Sequence, residues 1–348
     1  MNHYIAINST NKAKQDIDTL MHALGFSNAV VRGVPRSPRT KAQQKVETFT
    51  RKVLSVFGLL FKLNKGDVLL IQYPFKKFYT LQCRIAHLRG AKVVTLIHDL
   101  GTFRRRKLTA AQEVQRLAHT DAIIAHNPKM KAWIEDMFAQ YSRDKAPIIN
   151  ILGIFDYLSA VPLAPLSRTN DGAIVYAGGL GERKNAFLYD AGSALQNCVM
   201  NLYGSGNLDY SRFGSNIHHH GHIASDDFIR SVSGSWGLVW DGDSCNGCSG
   251  IWGEYLKLNN PHKTSFYLRA GLPVIVWSQS AMADFVINRN VGIAVDKLSD
   301  IPAAVAAINA EQYAQILANV ATMQQQLNEG HYFRTAFADA LKHLEHKD

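Results

Sequence analysis

Short runs of β-branched and apolar residues alternate with helix-length segments along the whole chain, and that alternation admits few folds besides parallel α/β sheets. In the first half the predicted strands are Tyr4 to Asn8, Ala29 to Arg32, Val68 to Gln72, Lys92 to Ile97, Ala122 to Ala125 and Pro147 to Asn150. In the second half they are Ala173 to Tyr176, Val199 to Tyr203, Ile217 to His219, Gly237 to Trp240, Pro273 to Val276 and Gly292 to Val295. Each half reads as its own doubly wound, Rossmann-like sheet, and 348 residues exceed what one ordinary core serves. Ser159 to Arg168 is proline-punctuated and lacks a period, so it reads as the linker. The expected domains are therefore 1–160 and 161–330, followed by a helix over 331–348 that either crosses back to the first domain or caps its own. Ligands of open parallel sheets bind beyond the carboxyl ends of the strands, so two such sheets facing each other make a cleft for two substrates.

Charge is divided unevenly. Residues 1–160 hold 25 Lys and Arg against 11 Asp and Glu, while residues 161–348 hold 13 against 17. A basic half suits nucleic acid, an anionic membrane surface or a phosphate-bearing substrate. No helix-turn-helix, zinc finger or aromatic RNA-binding sheet is visible, and Arg104-Arg105-Arg106-Lys107 is a single cluster, so nucleic acid is not an expected partner. The opening residues lead into a strand instead of a signal peptide, and no stretch approaches a membrane span. Four cysteines, Cys83, Cys198, Cys245 and Cys248, give no disulfide framework. A cytoplasmic location is expected, with the inner face of the membrane as a second option.

The most chemically informative segment is Asn259-Asn260-Pro261-His262-Lys263, followed by a helix-length stretch and the strand after Gly271. Asn260 is a good N-cap and Pro261 a good first helical residue, so unpaired backbone N–H groups should point into a cleft beside the Lys263 ammonium. An ordinary capped helix is the plain alternative. However, first turns favour Asp or Glu, and here His262 and Lys263 stack cations on the positive helix end. A phosphate or diphosphate bound there accounts for them.

Other features of the second half point the same way with less force. Ala177-Gly178-Gly179-Leu180-Gly181-Glu182-Arg183-Lys184 is a glycine-rich turn before a helix, where Gly179 lets backbone approach an anion and Arg183 or Lys184 adds charge. A tight turn with solvated cations would look the same. Tyr203, ahead of Gly204-Ser205-Gly206, stacks on a base or fills the core. Asp241-Gly242-Asp243 reads as a strand-ending turn or as a metal-holding pair. Since lysine, arginine and helix ends already supply positive charge, no metal is required. Cys245 and Cys248 make half a zinc knuckle without a second pair, so they read as reduced thiols in a loop.

In the first half, His98 and Asp99 follow the strand ending at Ile97, where either can take a proton from a hydroxyl or serve only in a turn. Thr10, Asn11 and Lys12 follow the first strand and are candidates for an acceptor side. Val46, Phe49, Val53, Val56, Phe57 and Leu60 recur at helical spacing among Lys45, Arg51, Lys52 and Lys62. Core packing explains such a stripe, yet Leu54 and Phe61 lie off it and leave room for a helix on anionic lipid.

Taken together, Ser9-Thr10-Asn11-Lys12-Ala13-Lys14, Ile97-His98-Asp99-Leu100, Ala125-His126-Asn127-Pro128-Lys129-Met130 and Gly253 to Lys263 give the chain a resemblance. It resembles bacterial glycosyltransferases of the two-Rossmann-domain class called GT-B, within the group of galactofuranosyltransferases and adhesin-modifying glucosyltransferases. The resemblance implies a nucleotide-sugar donor, a UDP-hexose, in the second domain, with Asn259 and Lys263 near its diphosphate. It also implies an acceptor glycan, lipid-linked or proteinaceous, on the first. Displacement at the anomeric carbon would then place Lys263, Arg183 and the helix N-terminus where the leaving diphosphate gains charge. Asp99, or else His98, would deprotonate the acceptor hydroxyl, giving inversion without a metal or cofactor. Two alternatives have the same raw features. A nucleotide-sugar epimerase would convert a donor alone, and a non-catalytic protein binding phosphates or lipid surfaces would leave Lys263 and the glycine loops without a purpose.

Overall fold

The computed structural model describes every residue except 6–10, 31–39, 76–77, 104–105, 143–145, 164–165 and 347–348. The chain forms two units, one of Met1–Leu152 with Phe333–Asp348 and one of Gly153–Tyr332. Among the described residues each contains a six-stranded sheet, and every strand pairing is parallel.

In the first unit the strands are β1 (Asn2–Tyr4), β2 (Ser27–Asn28), β3 (Val68–Tyr73), β4 (Lys92–Ile97), β5 (Ala122–Ala125) and β6 (Ile148–Ile151). They lie in the order β2-β1-β3-β4-β5-β6. The helices between them are α1 (Lys12–Ala23), α2 (Lys41–Lys62), α3 (Tyr79–Leu88), α4 (Ala110–Leu117) and α5 (Pro128–Tyr141). Because helices cover both faces, β3 and β4 are nearly continuous apolar runs, with Leu69, Leu70, Ile71, Val93, Val94 and Leu96 all buried. Helix starts are set locally: Asn127 caps α5 by accepting from the Met130 N–H at 2.9 Å, and Pro128 supplies the pre-formed first turn. The C-terminal helix, His331–Glu345, packs Phe337 on Phe26 with ring centres 5.1 Å apart and pairs His343 Nδ1 with Asn150 Oδ1 at 2.8 Å.

The second unit contains β7 (Ile174–Ala177), α6 (Glu182–Asn185), α7 (Leu188–Leu195), β8 (Met200–Tyr203), β9 (Ile217–His219), α8 (Ser225–Ser231) and β10 (Trp236–Val239). There follow α9 (Gly250–Leu256), α10 (His262–Arg269), β11 (Val274–Trp277), α11 (Ala283–Asn288), β12 (Gly292–Val295), α12 (Ile301–Ala306) and α13 (Ala310–Glu329). The strand order is β12-β11-β10-β7-β8-β9. Its first strand, β7, thus sits in the middle, and the chain winds outward from it in both directions. That makes the gap beyond β7 and β10 a topological switch point, the place where open α/β sheets leave a crevice.

The segment expected to link the domains is part of the second unit. Ser159 N–H donates to Asn328 Oδ1 at 2.9 Å, and the Arg168 guanidinium donates to the carbonyls of Val232, Gly234 and Ala270. Prolines gave Ser159 to Arg168 a linker's composition, but Ser159 and Arg168 at its two ends are anchored within the second unit. The division falls at Leu152/Gly153 instead.

Candidate functional site

At the switch point of the second unit, three elements converge on one cation. The residue after β7 is Gly178, the carboxylate of Asp241 lies just past β10, and Lys263 stands in the first turn of α10. Lys263 Nζ is 3.9 Å from Asp241 Oδ1 and 3.6 Å from the centre of the Tyr176 ring. Its nitrogen is buried without a hydrogen-bond partner. Burial pushes the Lys263 ammonium down to about 7, against the opposing pull of Asp241 and with a further push from Lys184. Asp241 is held more tightly by Lys184, at 3.2 Å from its other oxygen. The side-chain oxygen of Asn259 is buried and likewise without a hydrogen-bond partner. A buried ammonium whose donors are unused is costly, and it is the arrangement expected of a group that awaits an anion.

Glycines shape the floor of this site. A Cβ on Gly178, whose φ is +141°, would lie 3.2 Å from Lys263 Cε. Gly204 (φ +139°) and Gly206 leave no room at all: their Cβ atoms would fall 1.9 Å from the Gly178 carbonyl oxygen and 1.8 Å from that of Leu180. The two glycine loops run side by side as an extension of β7 and β8, with the Gly178 N–H on Tyr203 O and the Leu180 N–H on Ser205 O, both at 3.0 Å. The repeat of glycines after both strands thus has a mechanical cause. Gly204→Ala should lower the melting temperature by the equivalent of about 2–4 kcal/mol, because backbone must move both to admit the methyl and to relieve the positive φ. Thermal unfolding with and without nucleotide checks this, and a wild-type melting curve would mean that the loops are not locked together.

Several expected positions are placed differently. The helix opens at His262 with Pro261 as its N-cap, not at Pro261 with Asn260 as cap. Asn260 is buried and donates its amide to the Gly153 carbonyl at 2.9 Å, which anchors the segment before the helix instead of capping it. His262 stacks on Tyr157 with ring centres 4.9 Å apart, and its Nε2 is 3.4 Å from Asp156 O, so its ring is engaged in packing. Arg183 is exposed, whereas its neighbour Lys184 reaches Asp241 and lies over the Trp252 ring. Gly179 is exposed with open space around it. Tyr203 is buried between His220, stacked at 4.8 Å, and Phe228, edge-on at 5.3 Å, which is the core-filling alternative.

Asp241 and Asp243 do not act as a pair. Asp241 faces the two lysines, while Asp243 bonds to the Ser249 hydroxyl, and Gly242 between them has φ +125°. Cys248 is buried, and the Cys245 thiol, pushed up to about 11 by burial, donates to Phe187 O at 3.4 Å. Among the described residues no group of three His, Cys, Asp or Glu could hold a metal. A groove of about 880 Å³ elsewhere in this unit is lined by residues such as Gly172 and Cys198, which precede β7 and β8. It therefore opens at the amino ends of the strands, away from the crevice, and the guanidinium of Arg168 on its wall is already bound to carbonyls.

In the first unit the corresponding switch point lies between β1 and β3. His98, buried just past β4, places Nε2 2.6 Å from Gln72 Oε1, and Gln72 Nε2 donates to Asp18 Oδ1 at 2.6 Å. Gln72 Nε2 also faces the Lys14 carbonyl at 3.4 Å, and a carbonyl only accepts, so the amide turns its NH₂ to Lys14 and Asp18 and its oxygen to His98. His98 Nε2 consequently carries the hydrogen. Burial lifts Asp18 to about 7, with Lys14 and the Gln72 hydrogen bond pulling the other way. Asp99 is half-buried beside this chain in sequence. Asn11 caps α1 by accepting from the Lys14 N–H at 3.2 Å, and Lys12 is paired with Asp16. Thr10 lies outside the described residues. Asp18 and Gln72 were not among the expected site residues, and neither sits in a recognisable motif.

Comparison with known proteins agrees with this two-unit architecture. Residues 2–137 match the glucosyltransferase 3-like N-terminal domain, and residues 174–340 match the corresponding C-terminal domain. The β-1,6-galactofuranosyltransferase WbbI of Escherichia coli (strain K12) is 33% identical over 296 residues, 84% of each chain. Glucosyltransferase 3 of Streptococcus gordonii is 24% identical over 298 residues, 82% of each. Among solved structures, an α,α-trehalose-phosphate synthase (UDP-forming) from Burkholderia vietnamiensis superposes with a TM-score of 0.61 at 10% identity, covering 99% of this chain and 98% of its own. That last likeness speaks to the GT-B fold. With both family domains present and a relative one-third identical across most of its length, the chain belongs to the glucosyltransferase 3-like family of glycosyltransferases.

Proposed function

We propose that this hexosyltransferase takes its sugar from a UDP-hexose whose diphosphate docks against Lys263, Lys184 and the first turn of α10, and passes it to a hydroxyl of an acceptor glycan. The observation that carries the reading is the buried, hydrogen-bond-free Lys263 ammonium at the switch point, beside Gly178. As the anomeric C–O bond breaks, charge collects on the leaving phosphate, and fixed cations in a dry site stabilise it most there. Two lysines and helix N–H groups supply that charge, so the reading includes no metal. The names of the relatives favour galactofuranose or glucose as the sugar. Attack by an acceptor oxygen activated at Asp99 would invert the anomeric centre. The epimerase alternative lacks this acceptor chemistry, and incubation with donor alone separates the two.

The test follows from the state of Lys263. In the free protein its ammonium titrates near 7 because burial disfavours the charge. An adjacent diphosphate favours the charged form and raises that value. Below about pH 7 the site is already cationic and binding takes up no proton; above it, each bound UDP-hexose takes up as much as one, and affinity falls by up to about tenfold per pH unit. The diphosphate diester does not itself titrate in this range, so the proton reports the lysine. Titration calorimetry in two buffers of different ionisation enthalpy at about pH 8 reads the uptake directly. An affinity that is flat across this range, with no proton exchanged, together with unchanged UDP-hexose affinity in Lys263→Ala, would remove Lys263 from the donor site.

A further inference from the structure

Helix α2 is apolar on two sides. Val56 and Leu59, with Leu63 at its C-cap, are buried in the core of the first unit. Val46, Leu54, Phe57 and Phe61 are exposed, at 66%, 51%, 49% and 87%. These four, with Thr50, follow one another at steps of four, four, three and four residues, which is a single stripe along a helix surface. Isolated exposed apolar side chains are ordinary, but a contiguous aromatic and aliphatic stripe on the outer side of a helix marks a surface that meets something.

The charge around the stripe identifies the occupant. Residues 41–62 contain Lys41, Lys45, Arg51, Lys52 and Lys62 against the single acid Glu47. The 1–160 region as a whole carries 25 cations against 11 anions. Two copies of this chain meeting through α2 would bring like-charged helices face to face, whereas an anionic bilayer is complementary to both the stripe and the charge. No helix among the described residues is long and apolar enough to cross a membrane. We therefore infer that α2 lies in the plane of an anionic lipid surface, with Phe57 and Phe61 at the boundary of headgroups and acyl chains. The inference concerns where the enzyme works and does not depend on the donor site.

Co-sedimentation of the full-length protein with vesicles of phosphatidylglycerol and phosphatidylcholine, against phosphatidylcholine alone, tests it. Binding is expected to the anionic vesicles, to weaken as salt is raised, and to fall at least about tenfold in the Phe57→Ser/Phe61→Ser double variant. Both side chains are exposed, so its melting temperature should stay near wild type; should it fail to fold, Val46→Ser/Leu54→Ser serves the same purpose. Absence of binding by the wild-type protein, or equal binding by the variants, overturns the inference. So does a wild-type dimer in size-exclusion chromatography that the double variant converts to monomer without any vesicle binding, which would assign the stripe to a second copy. Vesicle binding that persists in a protein unable to bind UDP-hexose would leave this result intact while the donor reading falls.

Discussion

Lys263→Met is expected to weaken UDP-hexose binding by at least about a hundredfold and, in the same protein, to raise the melting temperature by a few degrees. The first effect follows from removing the proposed charge-assisted contact to phosphate in a buried site, a loss of about 2.7 kcal/mol or more. The second follows from linkage. Lys263 titrates at about 7 in the folded chain, against a reference value of 10.5. Between these two values the unfolded chain holds a proton that the folded chain gives up, so stability is fully retained only above the unfolded value and declines as pH falls towards 7. Methionine has no proton to lose and keeps a thioether against the Tyr176 ring. Asp241 is not stranded, since Lys184 remains 3.2 Å away. The gain at neutral pH should be about 1–2 kcal/mol once the lost contact over Tyr176 is set against the relieved burial, and it should vanish as pH approaches 10. Thermal unfolding at several pH values, with and without UDP-hexose, measures both effects at once. A variant that is less stable than wild type and still binds nucleotide would show that Lys263 is a structural cation serving Asp241.

What could be read without coordinates depended on whether the determining contacts were local. The strands Lys92–Ile97, Ala122–Ala125, Ile217–His219 and Gly292–Val295 stand where the apolar runs put them, because turn residues bound each run on both sides. The edge strand β2 occupies Ser27–Asn28 instead of starting at Ala29, since the chain leaves α1 through Gly25 at φ +77° and Ala29 is buried at the strand's end. Lys263 was visible because a cation in the first turn of a helix contradicts the dipole, which is a local conflict. Its counter-ion was not. Asp241-Gly242-Asp243 reads locally as a turn, and only the pairing of β10 with β7 brings Asp241 to Lys263 and Lys184. The choice between Arg183 and Lys184 is a matter of phase on the four-residue helix α6, which no composition sets. Likewise Gln72 is an amide in an apolar strand and Asp18 an acid on a helix; the order β1-β3-β4 is what brings them to His98.

That chain of contacts sharpens the choice between the two candidate bases, and the expected outcome is that Asp99→Asn lowers kcat by about 10²–10⁴-fold while UDP affinity stays within about twofold. His98 cannot use Nε2 to take a proton, because Gln72 turns its oxygen towards that nitrogen and thereby fixes the hydrogen on it. The ring is also buried, whereas an acceptor hydroxyl must meet an accessible group. Asp99 follows directly, is half-buried, and gains no charge on accepting a proton. Its loss should therefore fall on the chemical step, whereas His98→Asn should act through geometry, raising KM for the acceptor more than it lowers kcat. Initial rates against both substrates, with UDP affinity measured separately, distinguish these patterns. An Asp99→Asn enzyme that turns over normally while His98→Asn does not would transfer the role of base to His98 Nδ1, and Gln72→Ala, by releasing the tautomer, would then reduce kcat as well.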